Sequence, residues 1–238
     1  MRRVFVESME GDRAVVRGDR ARHLARVVRI RPGEALEVSD GRRAFVGEVL
    51  SSAADEVVIK LGEPLPAPTA APRVELLFSI IKFPRWETGL EKATEAGADR
   101  IVPVIAERTD GGLARGAEKK LERWRTIAEE AAQQSRRLAA PEVSEPEELR
   151  EALGRPAERR YFLDFGGQPL DEALVPCPSD ARVSVLVGPE GGWSDAEREA
   201  AAAAGWTAVR LGDTVLRAET AAIVAVALIR QLTREGRV

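Results

Sequence analysis

Two short stretches of the chain hold residue types that could bind a ligand and act on it. The first is Val183-Ser184-Val185-Leu186-Val187-Gly188-Pro189-Glu190-Gly191-Gly192-Trp193-Ser194-Asp195-Ala196-Glu197. An apolar run enters a glycine-rich turn, and Ser194 and Glu197 then stand at capping-box spacing for a new helix. Gly188, Gly191 and Gly192 let the backbone turn sharply and approach a ligand closely. The second stretch is Leu211-Gly212-Asp213-Thr214-Val215-Leu216-Arg217-Ala218-Glu219-Thr220-Ala221-Ala222, which leads into a long apolar helix. Arg217 at a helix start opposes the helix dipole, so packing alone does not explain it. Alone, a Gly-Pro-Glu-Gly-Gly loop is more often a turn than a binding site. Two glycine-bearing loops, each after a strand-like run, make a candidate site.

The elements that must position these loops follow from the hydrophobic pattern. Residues 1–62 read as mostly β, with short strand candidates at 2–6, 13–16, 36–38, 44–49 and 57–59. One helix interrupts them, from Asp19 as N-cap to Val28, before the turn Arg31-Pro32-Gly33. A small barrel with one helix results. Four prolines within residues 63–72 then mark a semi-rigid linker. From residue 73 strands and helices alternate. Strands are expected at 74–81, 100–105, 160–165, 183–187 and 208–211, and helices at 86–96, 117–138, 147–153, 195–204 and 218–234. That alternation predicts a mainly parallel sheet covered on both faces.

Composition narrows the chemistry. The chain has 238 residues, one cysteine (Cys177) and one histidine (His23). Neither an internal disulfide nor a usual zinc site can be built from them, so the chain is expected to be cytoplasmic and metal-free. The apolar run from Ala218 to Ile229 is too short for a membrane helix and contains Glu219, and no export signal is expected in Met1-Arg2-Arg3-Val4-Phe5-Val6-Glu7, where an acid comes before any long apolar core. The net charge of −3 conceals an asymmetry: residues 1–138 balance at +3 and residues 139–238 at −6. The front of the chain is the expected face for a polyanion. The Rossmann fingerprint and the Walker lysine motif are both absent from the sequence.

The two loops together resemble the ligand loops of the SPOUT class of knotted methyltransferases, which hold S-adenosylmethionine in backbone-lined loops. More narrowly, Gly188-Pro189-Glu190-Gly191-Gly192, Leu211-Gly212 and Leu216-Arg217-Ala218-Glu219-Thr220-Ala221 resemble the RsmE family, which usually has Thr where Ala218 stands. Lys82, Glu91-Lys92-Ala93-Thr94-Glu95-Ala96-Gly97, Glu107-Arg108-Thr109, Arg123-Trp124 and the stretch from Glu130 to Arg137 extend the likeness, with Arg136 in place of a family Gly. In the front domain His23-Leu24, Val28-Arg29 and Pro32-Gly33 do the same.

The resemblance implies a PUA-like RNA-binding β-barrel at 1–68 and a knotted α/β methyltransferase domain at 73–238. It implies methylation of N3 of a uridine in 16S ribosomal RNA of the small subunit, with S-adenosylmethionine as donor, by a homodimer. The donor is expected against Val187, Gly188, Pro189, Glu190, Gly191, Leu211, Gly212, Val215, Leu216, Ala218, Thr220 and Ala221. Uracil N3 carries a proton, so the site must remove it or stabilise charge spreading onto O2 and O4. Arg137 and Arg217 are the candidates to hold that charge, and Glu219 the candidate base or arginine holder. Gln134 and Arg137 are taken to share a helix face. RNA is expected to meet Arg2, Arg3, His23, Arg26, Arg29 and Lys82, near the further basic residues Arg20, Arg22 and Arg31. The four tryptophans are expected in the core or an interface, and the cluster Glu91/Lys92/Glu95 on an ordinary helix surface. Two other functions are weighed. A ribose 2′-O-methyltransferase of the same class resembles this chain less, since its early Asn-x-Gly-x-x-Arg motif needs an asparagine and the chain has none. A non-catalytic ribosome assembly factor would not need intact ligand loops.

Overall fold

A computed structural model describes residues 1–175 and 177–233 and divides into two compact units. The first comprises Met1–Thr69 together with Ala132–Ala140, and the second Ala70–Ala131 and Pro141–Val238.

The first unit is a curled six-stranded sheet. Its strands are β1 (Arg3–Phe5), β2 (Met9–Glu10), β3 (Arg13–Arg17), β4 (Ala35–Ser39), β5 (Ala44–Ser52) and β6 (Glu56–Pro64), in the order β1-β4-β5-β6-β3-β2. Alternate residues such as Ala14 and Val16, Leu36 and Val38, and Val57 and Ile59 point into one apolar core. The strand β6 runs further than expected: Pro64 pairs with Phe45, so the proline-rich stretch begins inside the sheet. This is an allowed place for proline, at the end of a strand.

The expected helix from Asp19 takes another form. Helix α1 (Gly18–Arg22) starts two residues earlier with Arg17 as N-cap, and Asp19 accepts a hydrogen bond from Arg22 instead of capping. A π-helical turn (His23–Val28) follows and stops at Arg29, which is left-handed at φ 58°. Ala21 and Leu24, three residues apart, are both buried, a spacing that does not distinguish α from π winding.

The segment 132–140 is held in the first unit by two hydrogen bonds to its carbonyls, one of them from an arginine that is itself fixed by Glu37. Arg3, 8% exposed, donates from Nε to Glu37 Oε2 at 3.0 Å and from Nη1 to the carbonyl of Arg136 at 2.7 Å. Ser39 Oγ donates to the carbonyl of Leu138 at 2.6 Å.

The second unit alternates strand and helix: β7 (Arg73–Ser79), α2 (Phe83–Ala96), β8 (Arg100–Ile105), α3 (Gly111–Ala117), α4 (Leu121–Gln134), β9 (Glu142–Val143), β10 (Glu147–Glu148), α5 (Leu149–Leu153), β11 (Arg159–Pro169), α6 (Leu170–Ala173), β12 (Arg182–Val187), α7 (Asp195–Ala203), β13 (Thr207–Arg210) and α8 (Ala218–Leu232). The strands form one wholly parallel sheet in the order β10-β8-β7-β12-β11-β13, with β9 beside β8. Their near-continuous apolar runs bury both faces, as a covered parallel sheet requires. Val74, Leu76 and Phe78 of β7 with Val183, Val185 and Val187 of β12 face the core that includes Leu90 of α2 and Ala222, Ala225, Val226 and Ile229 of α8. Leu77, Leu186, Val102 and Phe162 face the opposite core, which includes Leu149 and Ala201 of α5 and α7. Trp86 and Trp124 pack with ring centroids 3.9 Å apart and planes tilted by 33° within the first of these cores.

Two expected helices differ, and the expected end of a third falls outside the described residues. The stretch expected at 117–138 is broken by a 3-10 turn (Glu118–Lys120) and ends at Gln134. Arg136 is left-handed at φ 55°. Arg137 therefore lies beyond the helix, and the reading that Gln134 and Arg137 share a helical face fails. The left-handed residue stands where the resembling family has glycine, which explains that family's choice. Glu147 and Glu148 form strand β10 before α5 begins. Helix α8 is described to Leu232, and Arg234, its expected end, lies outside the described residues. Among the described residues, no helix is long and apolar enough to cross a membrane.

Candidate active site

The carboxyl ends of β11, β12 and β13 open into a cleft of about 480 Å³. Ligands of open parallel sheets collect at such strand ends. Three segments wall it: Leu163–Phe165, a run from Val187 to Trp193, and a run from Val209 to Ala221. Each is held by the fold in its own way.

The loop after β12 wraps around a tryptophan. The amide of Gly192, at φ 67°, donates to the carbonyl of Pro189 and closes the turn. A Cβ on Gly188 would sit 2.8 Å from the ring of Trp193, so the glycine lets backbone and indole touch. Trp193 is 2% exposed, stacks on Phe162 at 4.8 Å, and donates from Nε1 to the carbonyl of Leu163 at 2.9 Å. The capping box of Ser194 and Glu197 forms as its spacing predicts. Both members are tied to Glu107: Ser194 Oγ donates to Glu107 Oε2 at 2.7 Å, and the Glu107 amide donates to Glu197 Oε1 at 2.8 Å. The loop after β13 turns at Gly212, φ 152°, and ends at Arg217, the extended N-cap of α8.

One edge of the cleft is ionic. Arg85, on the first turn of α2, donates to Glu190 Oε1 at 2.5 Å, and its Nε lies 4.0 Å from Glu219 Oε1. Glu219 has a side chain only 13% exposed, and its other oxygen, Oε2, is buried without a hydrogen-bond partner. A buried carboxylate oxygen left unmatched is costly, and a ligand that donates to it would remove the cost.

The structure gathers most of the expected cofactor residues at this cleft. Val187, Gly188, Pro189, Glu190, Leu211, Gly212, Val215, Leu216, Ala218 and Ala221 line it, with Arg217 and Glu219. Gly191 and Thr220 do not. A Cβ on Gly191 would lie 3.4 Å from Arg108, whose guanidinium donates to the Gly191 carbonyl. Arg137 is not in the lining and groups with the first unit.

The expected RNA contacts divide. Arg2, His23, Arg26, Arg29 and Lys82 are exposed. Arg3 is not available to RNA: it is buried between Glu37 and the Arg136 carbonyl. As sequence, adjacent Arg2 and Arg3 look alike, yet Arg2 precedes β1 and is exposed, whereas Arg3 opens the strand and is buried.

The sequence reading missed Arg85, Asp164, Phe165, Arg198, Arg210 and Thr214 in the lining. Asp164 and Phe165 lie in a bulge of β11, where the pairing with β13 jumps from Leu163 to Gln168. The signal was Gly166-Gly167 inside a strand, which marks a bulge or close backbone approach.

The lining fits the methyl donor that the resemblance implies. The volume falls within the range of small-molecule sites, about 300–1,000 Å³. Val187, Leu211, Leu216, Ala218 and Ala221 offer apolar surface, the glycines expose backbone, and Glu219 Oε2 is an unmatched acceptor. No cluster of potential metal ligands occurs among the described residues.

Comparison with known proteins identifies the family. The RNA methyltransferase domain family matches residues 69–230, and the RNA methyltransferase PUA domain family matches residues 16–62. Ribosomal RNA small subunit methyltransferase E of Mycobacterium bovis is 35% identical over 230 residues, covering 92% of this chain and 87% of the relative. A crystal structure of ribosomal RNA small subunit methyltransferase E from Neisseria gonorrhoeae bound to S-adenosyl methionine aligns with a TM-score of 0.85 at 29% identity, over 98% of each chain. A putative methyltransferase from Legionella pneumophila, in complex with bound SAM, aligns with a TM-score of 0.83 at 26% identity over 96% of each. With the methyltransferase domain, the PUA domain and near end-to-end relatives in agreement, the chain belongs to the ribosomal RNA small subunit methyltransferase E family.

Proposed function

We propose that this chain transfers a methyl group from S-adenosylmethionine to N3 of a uridine in the 16S RNA of the small ribosomal subunit. The observation that carries this reading is the cleft itself: apolar and glycine-bearing loops on three sides, and an arginine and an unmatched carboxylate oxygen on the fourth. The bound donor supplies an electrophilic methyl group on a good leaving group, so no covalent attachment to the protein is needed. The chain's own task is the acceptor. Glu219 Oε2 accepts the N3 proton or holds an arginine in place, and exposed Arg217 donates to the oxygen on which charge gathers. Arg85 keeps Glu190 and Glu219 on one cation, which ties the two cofactor loops together.

The domain at 1–68 supplies RNA affinity through Arg2, His23, Arg26 and Arg29, and the domain at 73–238 supplies the chemistry. Two copies associate through the C-terminal domain: on α8, Ala227 is exposed and Ile223, Val224 and Leu228 are half-buried, an apolar surface a second copy would cover. Light scattering at micromolar concentration reads the dimer, and a monomer overturns that part.

Small subunits from cells lacking the protein are incubated with the purified chain and labelled donor, and the methylated nucleoside is mapped by mass. The expected product is one 3-methyluridine. Label on a ribose oxygen would establish the 2′-O reading instead, and donor binding without transfer to any RNA would establish the assembly-factor reading.

A further inference from the structure

Among the described residues six large hydrophobic side chains are exposed: Met1, Val27, Leu50, Phe165, Val175 and Val215. Phe165 is the one aromatic in that set, at 59% exposure, and it lines the cleft. It belongs to no family motif recognised in the sequence.

The backbone beneath Phe165 is fixed from several sides. The Gly166 amide donates to Asp164 Oδ1 at 2.8 Å. Arg198 donates from Nε to Asp164 Oδ2 at 2.7 Å, and Arg210 donates from Nη1 to the Gly167 carbonyl at 2.7 Å. Trp193 holds the Leu163 carbonyl. Gly167 is pressed against β13 so closely that a Cβ would lie 2.3 Å from the Val209 amide nitrogen. Two arginines, a tryptophan and a glycine-only contact thus anchor the four residues flanking Phe165, whose own side chain is left uncovered. Solvent exposure of a phenyl ring forfeits its burial energy, and rigid support of such a ring is the construction of a stacking surface.

We propose that Phe165 is a stacking platform for a heteroaromatic ring bound in the cleft. The inference rests on the cofactor-cleft reading above. Two sources present such a ring there, the adenine of the methyl donor and the acceptor uracil, and both use the same face chemistry. Stacking tolerates any planar ring, so Tyr or Trp replaces Phe165, whereas Leu keeps apolar bulk without a π face.

The experiment uses the full chain with Phe165→Leu and Phe165→Trp. Calorimetry with S-adenosylmethionine and steady-state methylation of small-subunit RNA are measured on each. A loss of donor affinity of about tenfold in Phe165→Leu, recovered in Phe165→Trp, assigns the platform to adenine. Unchanged donor affinity with a similar rise in KM for RNA, again recovered by Trp, assigns it to the acceptor base. Equal donor affinity and equal KM in all three proteins overturns the platform and leaves the cleft standing. Failure of the unsubstituted chain to bind donor at all overturns the cleft reading, and the platform with it. Retained cooperative thermal unfolding in Phe165→Leu separates these effects from misfolding.

Discussion

The two units use arginine for different purposes. In the parallel-sheet unit arginines point at fixed groups around the cleft: Arg85 at Glu190, Arg198 at Asp164, Arg210 at the Gly167 carbonyl. In the front unit Arg2, Arg26, Arg29 and Arg31 lie exposed on the surface, and only Arg3 turns inward. A site for one small ligand needs side chains positioned by buried strand ends. A surface for a polyanion needs charge density and tolerates loose placement. Substitutions in the two units should therefore fail differently, sharply in one and gradually in the other.

The largest effect is expected at the ionic edge. Glu219→Gln keeps the size of the side chain and removes its charge. Methyl transfer at saturating substrates should fall by about 10²–10⁴-fold, the usual range for a positioned proton acceptor. Donor affinity should change little by comparison. A full rate with weakened donor binding would move Glu219 from the acceptor to the donor and break the division drawn above.

Next comes Arg3, the inward exception. Its pair with Glu37 is 10% exposed on both sides. Arg3→Met leaves a buried carboxylate without its main partner, which costs about 3–5 kcal/mol. The urea midpoint should drop, while the salt dependence of RNA binding in the folded protein stays as it was. A flatter salt dependence with unchanged stability would return Arg3 to the RNA face.

Arg26 and Arg29 should behave in the opposite manner. Their joint replacement by Ala should leave the urea midpoint nearly unchanged and weaken RNA binding at every sequence. The slope of log affinity against log salt should flatten by about two, one for each lost phosphate contact. A fragment covering 73–238 should keep donor binding and bind RNA weakly.

These contrasts also mark what could be read in the sequence. The parallel sheet, the two glycine-bearing loops that line the cleft and the Ser194–Glu197 box were legible because glycine placement and strand-to-helix transitions are local signals. The bulge at 164–167 was not, because its geometry is dictated by β13 and by Trp193, Arg198 and Arg210, all distant in sequence. Arg85 was missed because an arginine in a first helical turn looks like ordinary surface until Glu190 and Glu219 are seen beside it. The break near Gln134 was hidden by an arginine at a position that favours glycine.

That arginine allows the smallest and most discriminating test. Arg136 is left-handed, which costs a non-glycine residue roughly 1–2 kcal/mol. Its carbonyl accepts from Arg3, so the backbone there is held by a buried group. Its guanidinium is 54% exposed and 3.8 Å from Glu37, a contact worth little at that exposure. Arg136→Gly removes the strain but adds freedom to the unfolded chain, about 0.4–1 kcal/mol in the other direction. Arg136→Ala removes the same charge and keeps the strain. Subtracting one variant from the other cancels the lost ion pair and leaves the backbone terms. The glycine variant should be the more stable of the two by up to about 1 kcal/mol in urea unfolding. Equal stability would mean that residue 136 is not held left-handed in solution, and that Arg3 anchors a different conformation of the 132–140 segment.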